Sequence, residues 1–235
     1  FQLIYVFDMG NNNDKALGTA FDYLEYLGTS DMTPEELKSE FYRLACTFYV
    51  SPGNERTYVV LSGLNENMPA AMQLFEKLLA DAQVNKEAYN NLVGDILKAH
   101  ADAKLNQGQN FSRLMNYAMY GPKSPATNLL TEAELASMNP QELVDQIHNQ
   151  NNYKHRILYY GPSSSKDLLA TIDQYHQVPA TLKDIPAGNE FSYLETPATK
   201  VLVAPYEAKQ IYMIRNTIRL SNLPANYITN ISAEA

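Results

Sequence analysis

Apolar residues recur every three or four positions from Ala16 to Thr29 (ALGTAFDYLEYLGT), a spacing that predicts a short amphipathic helix near the start of the chain. Leu17, Ala20, Phe21, Leu24 and Leu27 share its buried stripe, whereas Asp22, Glu25 and Tyr26 fall on other faces. Asp22 and Glu25 are three apart and therefore neighbours on the helix surface. Read from the pattern alone, they are two solvated carboxylates. Gly28 is expected to stop the helix. Asn12 or Asn13 is expected to cap its start, with Asp14 near the positive end of the helix dipole.

The remaining chain alternates between the two periodicities. Phe1 to Phe7 is a continuous apolar and aromatic run, as in a strand covered on both faces. Thr33-Pro34-Glu35-Glu36 is a capping box with proline in the first turn, and Leu37, Phe41, Leu44 and Ala45 form the buried stripe of the helix that follows. Cys46 to Val50 and Arg56 to Leu61 flank the turn SPGNE and predict an antiparallel hairpin. Helices are predicted from Pro69 to Ala82, with Met72, Phe75, Leu78 and Leu79 inward, and then after an Asn85 cap, with Leu92, Ile96 and Leu97 apolar. Another runs from Phe111 to Tyr120 and stops at Gly121-Pro122. Further helix starts are signalled at Thr131 and Asn139, each with a carboxylate three residues on.

HRILYY, His155 to Tyr160, is a predicted strand, followed by a helix capped by Ser164 or Ser165 and ending near His176. Val178 to Thr199 lacks periodicity and is rich in proline, which marks an irregular connector. Lys200 to Val203 and Gln210 to Leu220 are strand-like, and the remainder is loop-like. Gln210-Ile211-Tyr212-Met213-Ile214 faintly echoes Gln2-Leu3-Ile4-Tyr5-Val6, as at the start of a second similar unit. The order predicts an α+β domain, with helices on one face of a largely antiparallel sheet.

Composition narrows the chemistry. The 235 residues can bury a sizeable core, and 45% hydrophobic with 19% charged residues is ordinary for a folded domain. A net charge of −8 and the lack of a basic run argue against a phosphate backbone as partner; an acidic face suits basic peptides, and solubility alone explains it as well. No apolar run has the length of a membrane span. The lone Cys46 leaves no internal disulfide and no cysteine-cluster zinc site. His100, His148, His155 and His176 show no metal-ligand spacing and are expected at surface or helix-end positions. No G-x-S-x-G elbow or phosphate-cradling glycine loop occurs. The 17 tyrosines suit peptide contact or half-buried strand positions.

The stretch from Phe1 to Leu64 resembles the opening of a module of the insulinase or pitrilysin family of zinc metallopeptidases, the inverzincins. HRILYYGPSSSKDLLATIDQYH resembles the last strand and closing helix of the same LuxS/MPP-like half-module. In that family an apolar strand and a short loop lead into a helix bearing H-x-x-E-H. The matching stretch here is Asp22-Tyr23-Leu24-Glu25-Tyr26. Asp22 and Tyr26 stand at the two histidine positions and Glu25 at that of the general base. Asp95 or Asp102 is the candidate for the third ligand position.

A phenol ionises only near pH 10, so an aspartate and a tyrosine are not expected to hold catalytic zinc at neutral pH. The resemblance therefore implies a fragment of the second, catalytically silent half of a metalloendopeptidase. Residues 1–178 would be a module lacking its opening strands, 179–199 a connector, and 200–235 the beginning of a sister module. Zinc is expected in the partner half, and peptide substrate and that catalytic half are the expected partners. A non-enzymatic scaffold of the same fold is the alternative. An apolar face left open near Lys200 to Leu220 is expected to favour dimers of the fragment. For compartment, the bacterial cell envelope or periplasm comes first, with the cytoplasm as the alternative.

Overall fold

The computed structural model describes residues 1–195, 197–204, 214–216 and 229–231. Strand β1 (Gln2–Phe7) leads into helices α1 (Leu17–Leu24) and α2 (Pro34–Arg43), then into the hairpin β2 (Cys46–Pro52) and β3 (Thr57–Gly63). Helices α3 (Met68–Asp81), α4 (Lys86–Leu105), α5 (Gln107–Tyr120), α6 (Glu132–Ser137) and α7 (Pro140–Asn149) follow. Strand β4 (His155–Tyr160) and helix α8 (Ser165–Tyr175) complete the sequence of elements before the connector. A separate pair, β5 (Ile214–Asn216) and β6 (Thr229–Ile231), is antiparallel.

The four-stranded sheet has the order β2-β3-β1-β4 and every pairing is antiparallel. β1 is central because its residues are apolar on both faces: Leu3, Tyr5 and Phe7 point to the helices, and Val6 on the opposite face is also buried. Residues of period two on the neighbouring strands join them, with Val59 and Leu61 on β3, Phe48 and Val50 on β2, and Ile157 on β4. Phe21, Leu24, Met72, Phe75, Leu78, Leu143 and Ile147 close the core from the helical side. The opposite face of the sheet exposes Tyr49, Leu158 and Tyr160.

Local signals set most element boundaries. The Thr33 hydroxyl accepts from the Glu36 amide while the Glu36 carboxylate accepts from the Thr33 amide, and Thr131 and Glu134 repeat the arrangement. Asn85, Asn139 and Ser164 cap α4, α7 and α8. Gly121 adopts φ 75°, which ends α5 without steric cost.

Three local expectations are corrected. α1 stops at Leu24 and not at Gly28, because the amides of Tyr26 and Leu27 bond to carbonyls three residues back and tighten the chain into turns. Gly28 is needed for another reason: a Cβ there would lie 2.3 Å from the Met32 carbonyl oxygen. The start of α1 is served by Asn11, whose Oδ1 accepts from Gly18 N at 3.0 Å, and not by Asn12 or Asn13. Asp14 does sit at this end, accepting from Ala16 N at 2.9 Å. Ala45 is exposed at φ 48°, because the chain must reverse between α2 and β2.

In the last segment, Lys200 to Val203 forms no strand, and Val201 and Val203 are 85% and 84% exposed. β5 falls inside the expected strand Gln210 to Leu220, whose other residues lie outside the described ones, as does most of the Gln210 to Ile214 echo. β6 falls where the pattern predicted loop, because Thr229-Asn230-Ile231 is too short for periodicity to register.

Candidate functional site

Asp22 lies in the last turn of α1, Glu25 is the residue that ends the helix, and Tyr26 occupies the turn beyond. The helix is held against its neighbours by the residues between these positions. Phe21 and Leu24 enter the core, and Phe21 lies 5.6 Å from Phe7, ring centre to ring centre. The fully buried Tyr23 donates its hydroxyl to the Asn85 carbonyl at 2.6 Å and accepts from the Asn85 amide at 2.9 Å. Tyr23 thus pins α1 to the start of α4, a role that nothing local in the sequence signals.

The three polar positions have different surroundings. Glu25 accepts the Val50 main-chain amide at 3.1 Å, so its carboxylate covers part of the outer edge of β2. Tyr26 is exposed, with the Lys38 ammonium 5.8 Å from its ring centre. Asp22 is half-buried, and burial first, then the neighbouring Glu25, pushes its carboxyl pKa up to about 6. It is therefore not the solvated carboxylate of the simple amphipathic reading.

That shift has a measurable consequence. A carboxyl whose pKa rises on folding is protonated more readily in the folded chain than in the unfolded one. Its contribution is therefore fully present below about pH 4 and is lost as pH climbs through about 6. Asp22→Asn removes the charge that must be buried. The variant is expected to be more stable by about 1–2 kcal/mol near pH 7, after discounting for partial exposure, and unchanged near pH 4. Urea unfolding at the two pH values measures the difference.

Asp95 and Asp102 are both exposed on α4. Neither makes a hydrogen bond or ion pair with Asp22, Glu25 or Tyr26. Among the described residues no group of three or more His, Cys, Asp or Glu side chains is arranged to hold a metal ion. Two carboxylates, one of them engaged by a main-chain amide, and a phenol do not fit zinc, which is held by three or four deprotonated ligands.

A second cluster, which sequence reasoning missed, lies under the sheet near β4. His155 and His176 approach to 2.8 Å between their Nε2 atoms, and His176 Nδ1 lies 2.7 Å from Glu76 Oε1. Both were expected as surface or helix-end residues. His176 does end α8, but its side chain is only 8% exposed. The three residues come from β4, the end of α8 and α3, so no spacing rule connects them.

No protein-family model matches the sequence, and no curated protein does. Solved structures do match. The periplasmic protease PqqL from Escherichia coli superposes with a TM-score of 0.68 at 16% identity, over 82% of this chain and 22% of that one. The ferredoxin protease FusC, solved with Arabidopsis ferredoxin, gives 0.67 at 12% identity over the same shares. A peptidase M16 inactive domain from Pseudomonas fluorescens gives 0.63 at 18% identity, over 84% of this chain and 48% of that one. The chain thus spans about a fifth of the two proteases and about half of the inactive domain. What these likenesses establish is architecture: the antiparallel sheet with its covering helices is the fold of a module found in M16 peptidases.

Proposed function

We propose that this chain is part of the catalytically silent half of a zinc metalloendopeptidase, where it walls the peptide chamber and contacts substrate, while zinc and the catalytic residues belong to the partner half. The observation that carries the reading is the state of Glu25. At the position of a general base it has no imidazole beside it, and its carboxylate is engaged by Val50 N. A base without a metal-bound water has nothing to deprotonate. The retained glutamate acts on the fold instead.

The same contact supports peptide binding. Val50 directs its amide away from β3, and main-chain groups alternate along a strand. Phe48 and Cys46 therefore direct theirs to the same outer edge of β2, beyond the part that Glu25 covers. An extended peptide can pair there by main-chain hydrogen bonds. The net charge of −8 favours a basic one. The periplasmic residence of PqqL supports the cell envelope as compartment. No helix among the described residues is long and apolar enough to cross a membrane.

The test is a titration of the isotopically labelled chain with an unfolded basic peptide. Amide shift changes confined to Cys46–Pro52 and its flanks, weakened by salt, are expected. Binding elsewhere, or none, overturns the substrate-contact role. An intact H-x-x-E-H elsewhere in the protein that carries this segment supports the protease. A protein with no such motif and no cleavage supports the non-enzymatic scaffold.

A further inference from the structure

We infer that Glu76, His176 and His155 bind one excess proton as a single unit, and that this proton latches the end of α8 onto α3 and the sheet. The inference begins with hydrogen bookkeeping. His155 Nδ1 lies 2.6 Å from the Tyr153 carbonyl oxygen, which can only accept, so this nitrogen carries a hydrogen. His176 Nδ1 faces Glu76 Oε1 at 2.7 Å. The same oxygen accepts from the Tyr5 hydroxyl at 2.7 Å, and Glu76 Oε2 accepts from Asn151 Nδ2 at 3.1 Å.

Take Glu76 as a carboxylate and both rings as neutral. His176 Nδ1 must then donate to Glu76, as His155 Nδ1 donates to Tyr153. Both Nε2 atoms are left with bare lone pairs facing each other across 2.8 Å, which is repulsive. One added proton removes the conflict. Placed between the rings, it makes an imidazolium beside the carboxylate. Placed on Glu76, it lets that carboxyl donate to His176 Nδ1 and lets His176 Nε2–H donate to His155 Nε2. The three groups sum to zero charge in either arrangement.

Burial favours this state. The side chains of Glu76 and His176 are 9% and 8% exposed, and an uncompensated carboxylate at such depth is strongly disfavoured. A second proton is refused: burial first, and the neighbouring His176 as well, push the His155 pKa down against the pull of the Tyr153 carbonyl and Glu76. Burial and Glu76 raise the Tyr5 pKa well above its ordinary value, so the phenol remains a donor. The other nearby charges are taken: Lys154 pairs with Asp184, and Arg156, on the far face of β4, pairs with Asp8. A metal fits less well, because Glu76 occupies the other nitrogen of His176 and leaves only two imidazoles to ligate.

The latch matters because α8 has little else. None of its own residues is fully buried, and Leu168, Ile172 and Tyr175 only half-cover the core edge. His176, stacked edge-on to the Tyr5 ring and to His155, is its deepest anchor.

Histidine ¹⁵N NMR of the full chain from about pH 5 to about pH 9, with amide exchange on the same samples, tests the inference. Both rings are expected to report one proton lost at a common midpoint. Exchange in α8 should then accelerate about tenfold or more above that midpoint, with α3 and the sheet unaffected. Glu76→Gln should shift the midpoint down by about one pH unit or more. His155→Phe, which keeps an aromatic ring on Phe7, should leave His176 titrating alone. Independent titration of the two rings, exchange in α8 that ignores pH, or stoichiometric shifts of both rings on adding zinc would each overturn it.

Discussion

Replacing Phe75 with alanine is expected to lower the free energy of unfolding by about 3–5 kcal/mol, a large share of the roughly 5–15 kcal/mol that holds a domain together. Phe75 is fully buried on α3, with ring-centre distances of 5.2 Å to Tyr5 on β1 and 5.3 Å to Phe48 on β2. Phe48 in turn lies 5.2 Å from Phe41 on α2. The Phe75 ring therefore ties α3 to two strands, and through Phe48 to α2, and its neighbours are too well fixed to close the space it would leave. The measurement is a urea titration. The midpoint should fall with the slope unchanged, because the native packing and not the unfolded chain is altered. A loss under about 1 kcal/mol would mean that α3 does not pack across the sheet as described.

Both the helical cover and the sheet were legible in the sequence wherever the cause was local. Thr33 and Thr131 announce their helices because the capping residues lie within four positions of one another. HRILYY and the hairpin around SPGNE read as strands because their register is set by period-two burial. The reading failed where the partner is distant. Ala45 looked like the last residue of an apolar stripe, yet the reversal into β2 forces it outward. Asn11, not its two neighbours, serves α1, because the loop's path is set by main-chain bonds to Gly53 and Asn54. At the candidate site, Asp22, Glu25 and Tyr26 were found by resemblance alone. That Glu25 meets Val50 depends on how α1 lies over the edge of the sheet. The Glu76, His176 and His155 cluster was invisible because its members are brought together by tertiary packing.

We propose that this module has the scaffold found in M16 peptidases and lacks the groups that would hold zinc. Asp22 lies in the last turn of α1 and Tyr26 in the turn just beyond it, four residues apart and on either side of Glu25. Restoring imidazoles at both positions should therefore create a weak two-nitrogen zinc site beside Glu25. With Asp95 and Asp102 exposed on α4 and no third ligand supplied, the site should bind metal without hydrolysing peptide.

The direct measurement is zinc content together with peptide hydrolysis, made on the native chain and on the Asp22→His, Tyr26→His double variant. No retained zinc and no cleavage are expected in the native chain, and zinc binding at least about tenfold tighter in the double variant, still without cleavage. Stoichiometric zinc in the native chain, or peptide hydrolysis by it, would contradict the claim of a silent module.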